Sequence, residues 1–267
     1  MNGFYLYCIR EKGDAAFSAP GLFEQNRAFA LPVQNLEAIV SQVPMEQMDR
    51  ERIQQKAQDD LNWIKGMAQR HEAVIESAMN ADGCICPVIP MRFGTVFLNQ
   101  ETVEQTITHE SGKYSQCLAS LHHRQEWSAK LYVADPNPIQ SEVLENNPVL
   151  LLKKKQIQAM PRGMAYFFQS ELNEQMLVAA AQRTEAYATS VFDALAHHAC
   201  QSVRGKLLEK ELTGRQEPMI LNAIFLIPED AVSAFKQEVE KSRASLNDNG
   251  LQIEFSGPWP PYHFAKV

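Results

Sequence analysis

His71-Glu72 is the part of this 267-residue sequence that most resembles a catalytic pattern. It begins like the H-E-x-x-H helix of zinc hydrolases, in which two histidines hold the metal and the glutamate acts as the base. The second histidine is missing, so that zinc site cannot form. Because His71 also falls on the apolar stripe of its predicted helix, we interpret it as a hydrogen-bonded histidine at a domain seam, not as a ligand or base.

Other residues that bind metals elsewhere are also incompletely arranged. Histidines stand in adjacent pairs at 122–123 and 197–198, and neighbours on a helix point about 100° apart, so neither pair converges on one metal. Cys84 and Cys86 form a C-x-C pair with no second pair at zinc spacing, and the other cysteines stand alone. We expect free thiols, with no metal and no cofactor.

Loops that hold phosphates or nucleophiles are absent from the sequence. It has no G-x-S-x-G elbow, no G-x-x-x-x-G-K-[ST] loop and no G-x-G-x-x-G after a strand. The carboxylates are scattered, so no acid–base couple is assigned and no catalytic residue is expected. The octamer from Arg162 to Gln169 is similar to an RNA-binding pattern of ferredoxin-like sheets, but Met164 and Gln169 replace aromatics that would stack on bases.

Composition and charge indicate an acidic globular protein. Hydrophobic residues make up 45% and charged residues 21%, so disorder is not expected. The formal charge of -7 argues against a partner held through nucleic-acid phosphates and against docking on an anionic membrane. No apolar run approaches the roughly 20 residues that span a bilayer, and the N-terminus lacks a signal-peptide pattern, which predicts a cytoplasmic protein.

Hydrophobic periodicity predicts several strands and two helices in the first half of the chain. Short apolar runs predict strands at FYLYCI, AFALPVQ and LEAIVSQV. Steps of three and four residues predict one long helix from about Asp49 to Asn80. CICPVIPMRFGTVFL contains two prolines and a glycine, which predicts two short strands with a bend at Gly94. Asn99 is the expected cap of a helix from about Gln100 to His123.

The second half predicts strands around a long helical insertion. EWSAKLYVAD alternates like a strand, and helices follow from about Ile139 to Met160 and from about Ala165 to Leu212. PMILNAIFLIP is continuously apolar, which indicates a central strand. An amphipathic helix from Glu229 to Leu246 and a last strand, LQIEFSG, complete most of a ferredoxin-like sheet.

The element order predicts an α+β protein of two domains. Residues 1–124 form the N-terminal mixed α+β domain. Residues 125–267 form a C-terminal ferredoxin-like domain, with extended helices at about 139–212 and a tail rich in proline and aromatic residues. No flexible linker separates the two parts, so we expect them to pack together.

Four segments resemble the GvpL/GvpF family of gas vesicle proteins. They are WIKGMAQRHEAVIESAM (63–79), VIPMRFGTVF (88–97), EWSAKLYV (126–133) and GPWPPYHF (257–264). The matches run in family order over nearly the whole chain, and the runs R-F-G-T-V-F and G-P-W-P-P-Y are specific.

The resemblance implies a non-enzymatic, GvpF-like accessory protein of the cytoplasm and the gas vesicle, the gas-filled shell that gives aquatic microbes buoyancy. It implies a two-domain α+β fold with a ferredoxin-like second domain. It also implies a minor vesicle component that contacts the very hydrophobic shell protein GvpA and limits its aggregation before nucleation, with other gas vesicle accessory proteins as further partners. No catalytic residues are attributed to the family.

Two of these segments supply the candidate structural or partner-contact residues, which are Arg92, Phe93, Trp259, Tyr262 and Phe264. Arg92 lies among apolar neighbours, and an unpaired buried charge is costly, so a structural ion pair is favoured over partner contact. Three prolines in GPWPPYHF predict an extended strip in place of a regular strand or helix. We favour a strap across the two domains over an exposed aromatic grip on an apolar partner.

The main alternative to an assembly factor is a small-molecule-binding protein or enzyme on a ferredoxin-like sheet. A deep pocket ringed by His71, Arg92 and carboxylates would favour that alternative. A basic stripe at the Arg162 segment would favour RNA binding, whereas a helical environment there would end that hypothesis.

Overall fold

The chain forms a mixed α+β fold with two sheets. A computed structural model describes residues 1–13, 16–23, 25–48, 50–81 and 83–267, and for residues 50, 51, 57, 211 and 212 it describes only the backbone. Contacts divide these residues into two compact units, Met1–Glu126 with Pro258–Val267, and Trp127–Gly257. None of the described helices combines the length and the apolar character that a membrane crossing requires.

The first unit is organised around a six-stranded sheet. Its strands are β1 (Asn2–Glu11), β2 (Ser18–Pro20), β3 (Arg27–Val33), β4 (Leu36–Pro44), β5 (Val88–Pro90) and β6 (Val96–Phe97). The order is β2-β3-β4-β1-β5, and β6 pairs with β1 as well. β1 lies in the interior because its run YLYCI is buried on both faces, as expected for a strand without polar alternation.

The helices of the first unit differ from the prediction at one point. They are α1 (Arg50–Asp59), α2 (Leu61–Met79) and α3 (Gln100–Leu121), with a short 3-10 turn at Met45–Gln47. The single helix predicted from Asp49 to Asn80 is wrong, because the helix is interrupted at Asp60. Asp49 lies outside the described residues. Asp60 accepts hydrogen bonds from the backbone N–H groups of Asn62 and Trp63, each at 3.0 Å, and so begins a second helix.

Two predictions about turns in this unit are confirmed. Asn99 caps α3, accepting a hydrogen bond from the backbone N–H of Thr102 at 2.9 Å. The segment CICPVIPMRFGTVFL forms two short strands, β5 and β6, separated by a turn in which Gly94 has a positive φ of 88°.

The second unit contains the other sheet and a large helical insertion. Its elements are β7 (Arg124–Val133), α4 (Asn137–Asn146), α5 (Pro148–Gln158), α6 (Arg162–Ala196), β8 (Gln201–Arg204), α7 (Lys210–Thr213), β9 (Met219–Pro228), a 3-10 turn (Glu229–Ala231), α8 (Val232–Asp248) and β10 (Leu251–Trp259). The strand order is β10-β7-β9-β8, which confirms the interior position predicted for β9. The unit boundaries fall within β7 and β10.

A group of aromatic side chains packs together in the otherwise aliphatic core of the second unit. Trp127 and Phe255 stack with ring centroids 4.7 Å apart, and Phe235 lies 5.4 Å from Phe225 and 5.5 Å from Phe255. Each such ring buries a large apolar area, so these four side chains fix α8 on the sheet.

The helix predicted from Ala165 to Leu212 is wrong at its C-terminal end. α6 ends at Ala196, and the residues after it form β8, in which Val203 pairs with Ile224 of β9. The apolar spacing of four continues through Val203, but backbone groups of β9 must be paired, and β8 satisfies them. The local sequence pattern does not show that the backbone of β9, which is distant in the chain, needs a hydrogen-bonding strand beside it.

The tail also differs from the prediction. β10 continues through Pro258 to Trp259, where an extended strip outside regular structure was expected. β10 is an edge strand of its sheet, and an edge tolerates the missing N–H of proline. Contacts group Pro258–Val267 with the first unit, whereas the predicted division assigned these residues to the second domain.

Candidate functional site

A cluster of hydrogen-bonded residues connects β1, α2 and the turn after β5. We call Tyr5, His71, Met91, Phe93 and Gly94 the Tyr5–His71 cluster. The backbone N–H of Gly94 donates to the Tyr5 hydroxyl at 3.0 Å, and that hydroxyl lies 2.9 Å from His71 Nδ1. His71 Nε2 lies 3.1 Å from the carbonyl oxygen of Met91. The turn after β5 is therefore bonded to the core of the first unit at Met91 and at Gly94.

The hydrogen bonds determine which ring nitrogen of His71 carries the proton. A carbonyl oxygen only accepts, so Nε2–H donates to Met91, and Nδ1 then accepts from the Tyr5 hydroxyl. Burial disfavours the imidazolium and lowers the pKa of His71 from 6.5 to about 4, against an opposing effect of the Met91 carbonyl. The histidine is neutral at pH 7, and both of its nitrogens are already used.

This arrangement confirms that His71 is hydrogen-bonded, as the sequence predicted, whereas its place at a domain seam stays a prediction. A general base or metal ligand needs a free nitrogen directed at substrate or metal. His71 is buried, with its nitrogens bonded to Tyr5 and Met91. No group of three or more potential metal ligands occurs in the described ranges.

Gly94 is required by its backbone conformation. Its φ of 88° lies in the region that L residues rarely adopt, and a Cβ built there has no atom within 4 Å. Gly94→Ala is therefore expected to cost about 1–2 kcal/mol of stability through backbone strain alone, measured as the urea unfolding midpoint.

The matched control for this prediction is Gly112→Ala in α3, where a Cβ also meets open space but no positive φ is present. This substitution is expected to stabilise the protein by up to about 1 kcal/mol, because alanine favours helix. Equal effects of the two substitutions would contradict the assignment of strain to Gly94.

Arg92 and Phe93 have different environments within the same turn. Phe93 is half-buried, and its ring meets those of Tyr5 and His71 edge-on at centroid distances of 6.2 and 5.7 Å. Arg92 is exposed and has no ion-pair partner in the described ranges. The structural ion pair favoured for Arg92 is therefore not observed, because the turn directs this residue outward although its sequence neighbours are apolar.

The tail residues make specific contacts within the first unit. The Tyr262 hydroxyl donates to a carboxylate oxygen of Glu72 at 2.7 Å. Glu126 accepts two hydrogen bonds from His263, from the backbone N–H at 3.0 Å and from ring Nδ1 at 2.8 Å. Phe264 is buried, whereas Trp259 is partly exposed. The tail is thus held by paired polar groups and one buried ring, and the strap across two domains stays a prediction.

Sequence reasoning missed the buried ion pair of the first unit, which is formed by Arg10 and Glu37. Arg10 is 2% exposed and Glu37 is 3% exposed, and Arg10 Nε donates to Glu37 at 2.6 Å. Arg10 also donates to the carbonyl of Ala78 in the last turn of α2, at 2.7 Å. Opposite charges at the ends of two predicted strands were the available signal, but the pairing requires the observed β1–β4 register.

A run of exposed apolar side chains, three of them aromatic, occurs at the beginning of α6. We call Met164, Tyr166, Phe167 and Phe168 the α6 tip. Tyr166 is 78% exposed and Phe167 is 75% exposed. The tip falls in the octamer that is similar to an RNA-binding pattern, and this octamer is helical, not part of a central strand. The RNA-binding hypothesis is therefore wrong by the criterion set from the sequence.

Comparison with known proteins gives one consistent result. A family model described as gas vesicle synthesis protein GvpL/GvpF matches residues 3–266. Gas vesicle protein L of Streptomyces sp. (strain CB03234) is 24% identical over 233 residues, covering 87% of this chain and 81% of that protein. Gas vesicle protein F of Nostoc sp. (strain PCC 7120 / SAG 25.82 / UTEX 2576) is 29% identical over 199 residues, covering 74% of this chain and 76% of that protein.

Solved structures agree on the fold. The crystal structure of the gas vesicle protein GvpF from Anabaena sp. PCC7120 superposes with a TM-score of 0.74 at 23% identity, covering 100% of this chain and 99% of that chain. The structure of GvpF from Microcystis aeruginosa gives a TM-score of 0.66 at 22% identity, covering 99% of each chain. Since the family model spans almost every residue, the chain belongs to the GvpL/GvpF family of gas vesicle synthesis proteins.

Proposed function

We propose that this chain is a non-enzymatic accessory protein of gas vesicle assembly. It binds newly made shell protein GvpA, limits its aggregation before nucleation and stays with the growing vesicle as a minor component. It acts in the cytoplasm and at the gas vesicle, where other accessory proteins are further partners. Its net charge of -7 keeps a complex with an apolar partner dispersed.

The observation that carries this proposal is the amount of exposed apolar surface on the helical insertion. Besides the α6 tip, large apolar side chains are exposed at Val149 and Leu152 of α5 and at Leu177 and Val178 of α6. Monomeric proteins rarely expose large contiguous apolar patches, and those that do use them to bind partners. A hydrophobic shell protein is a partner of the required chemistry.

The second part of the proposal concerns the scaffold. We treat Trp127–Gly257 as a ferredoxin-like domain whose first crossover is enlarged by α4, α5 and α6. The strand order β10-β7-β9-β8 and the helix between β9 and β10 support this description. The enlarged crossover carries the exposed apolar residues, so the sheet serves to hold it.

The five candidate residues of the segments VIPMRFGTVF and GPWPPYHF remain part of the proposal. The contacts of Phe93, Tyr262 and Phe264 within the first unit support structural roles. Arg92 is exposed, and Trp259 and Tyr262 keep 38% and 41% of their surface exposed, which supports partner contact as well. In such a contact, aromatic rings supply area and a guanidinium supplies directed hydrogen bonds.

Light scattering of shell protein freshly diluted from denaturant tests this function. An equimolar amount of the chain is expected to suppress the scattering, and a soluble complex of both proteins should be recovered by pull-down. An unrelated acidic protein of similar size is the control. Unchanged scattering without a complex would contradict the proposal, as would normal vesicle formation in cells that lack the gene.

A further inference from the structure

We propose that the α6 tip, together with cationic side chains of α5 and of the first turn of α6, is the surface that takes the shell protein, and that it binds a segment that is apolar and carries acidic residues. This inference rests on the proposed function and assigns its docking surface. The cationic side chains are those of Lys154, Lys155 and Arg162, which we call the cationic rim.

The apolar part of the argument comes from the helix geometry. Successive residues on a helix point about 100° apart, so Tyr166, Phe167 and Phe168 together span about 200° around α6. This arc is wider than the apolar stripe of about 100° that a surface helix normally packs against its core. Tyr166 and Phe167 are 78% and 75% exposed and Phe168 is 43% exposed, so the chain leaves much of this apolar surface uncovered. The α6 tip is unpaired apolar surface that a partner must cover.

A groove beside the tip offers a place for a partner side chain. It has a volume of about 240 Å³ and runs between α5 and the first turns of α6. Its lining includes Ile157, Met160, Phe168 and Leu172. Residues that anchor an interface typically fill such pockets, while the surrounding contacts exclude water.

The charged part of the argument comes from the rim. Lys153 is already paired with Glu171 at 3.1 Å. Lys155 and Arg162 are exposed and Lys154 is half-buried, and none of these three has an ion-pair partner in the described ranges. Arg162 precedes Tyr166 by four residues, so both lie on the same face of α6. An acidic residue next to the partner's apolar segment would pair with this rim.

Two other occupants fit the charges less well. A second copy docked tip to tip would bring the same three cations together, which costs energy. An anionic membrane would attract the rim but repel a chain in which 32 acidic residues outnumber 25 basic ones. An apolar segment with acidic residues satisfies both parts of the surface.

Binding of three full-length variants to the shell protein tests the inference. The first changes the tip (Tyr166→Ser, Phe167→Ser, Phe168→Ser), and the second reverses the rim (Lys154→Glu, Lys155→Glu, Arg162→Glu). The third is the matched control, Leu61→Ser with Leu98→Ser, which removes two exposed apolar side chains outside the helical insertion. All the altered residues are exposed or half-buried, so unchanged circular dichroism and melting temperature are expected and checked first.

The tip variant is expected to bind the shell protein about 30-fold more weakly, as for the loss of interface anchors. The rim variant should bind about tenfold more weakly at low salt, with the difference shrinking as salt rises. The control should bind like the unaltered chain. Together these results would support the inference.

Other outcomes would overturn it. If the unaltered chain binds the shell protein and the tip variant binds equally well, the inference fails while the proposed function stands. If the unaltered chain does not bind at all, the proposed function itself fails. If the tip variant instead loses self-association in sedimentation, or loses binding to anionic lipid vesicles while shell binding is kept, the tip belongs to a different partner.

Discussion

Glu37→Gln is expected to destabilise the first unit by about 3–5 kcal/mol, because the substitution leaves the Arg10 charge buried without a counter-ion. Glutamine keeps the size of the side chain, so little of this loss is due to a cavity. The measurement is the free energy of unfolding from urea titrations. Glu238→Gln is the matched control, since Glu238 pairs with Lys241 on the surface of α8, and a loss below about 0.5 kcal/mol is expected there.

The second half of this test removes both charges. Arg10→Met with Glu37→Leu leaves no buried ion, so its loss should be smaller than that of Glu37→Gln. Some loss will remain, because Arg10 also bonds the carbonyl of Ala78 at the end of α2, where helix carbonyls lack partners. If the double variant is less stable than Glu37→Gln alone, buried charge is not the dominant cost.

The second large effect concerns pH and His71. The unfolded chain protonates this histidine near 6.5, whereas the folded chain protonates it only at about 4. Between these values the unfolded state binds more protons, so acidification favours unfolding. The stability that comes from keeping His71 neutral is fully present above pH 6.5 and is lost as the pH falls towards 4. The pKa difference corresponds to about 3 kcal/mol.

Two measurements check this prediction. Titration of the histidine ring signals by NMR should give a pKa of about 4 for His71. Urea unfolding at several pH values should show that the unaltered chain loses stability as the pH falls from 6.5 towards 4. The His71→Gln variant should not show this loss, because glutamine cannot titrate. A ring signal that titrates near 6.5 would mean that His71 is accessible to water and that the Tyr5–His71 cluster opens readily.

His263 supplies the control of opposite sign. Its hydrogen bond to Glu126 raises the pKa of His263. The stability it contributes is therefore present below the ordinary histidine pKa and is lost as pH rises through the raised value. Because the ring is half exposed, we expect a small effect. The loss of stability in acid that is assigned to His71 should be unchanged in the His263→Gln variant.

Local features of the sequence determined much of the secondary structure. Asn99 caps α3 because its side chain reaches the N–H of Thr102, an interaction between near neighbours. Gly94 bends the R-F-G-T segment because only glycine readily adopts its φ. The continuous apolar run of β9 indicated an interior strand. Family membership was also readable, since its segments are contiguous stretches of chain.

Interactions between distant residues were decided by the tertiary structure. The Arg10–Glu37 pair depends on the register of β1 and β4, and the end of α6 depends on β9, which needs a strand beside it. Arg92 is exposed although its neighbours are apolar, because the turn that holds it is bonded to Tyr5 and His71.

One physical reason explains why the sequence determined the local features and the tertiary structure decided the rest. Caps, turns and periodicity arise from forces between residues a few positions apart, which a sequence displays directly. Buried charges, hydrogen bonds to ring nitrogens and exposed aromatic tips depend on which distant groups fold against them. The MAYFF run at the start of α6 is apolar enough for a core, and only the packing of α5 and α6 leaves its rings exposed.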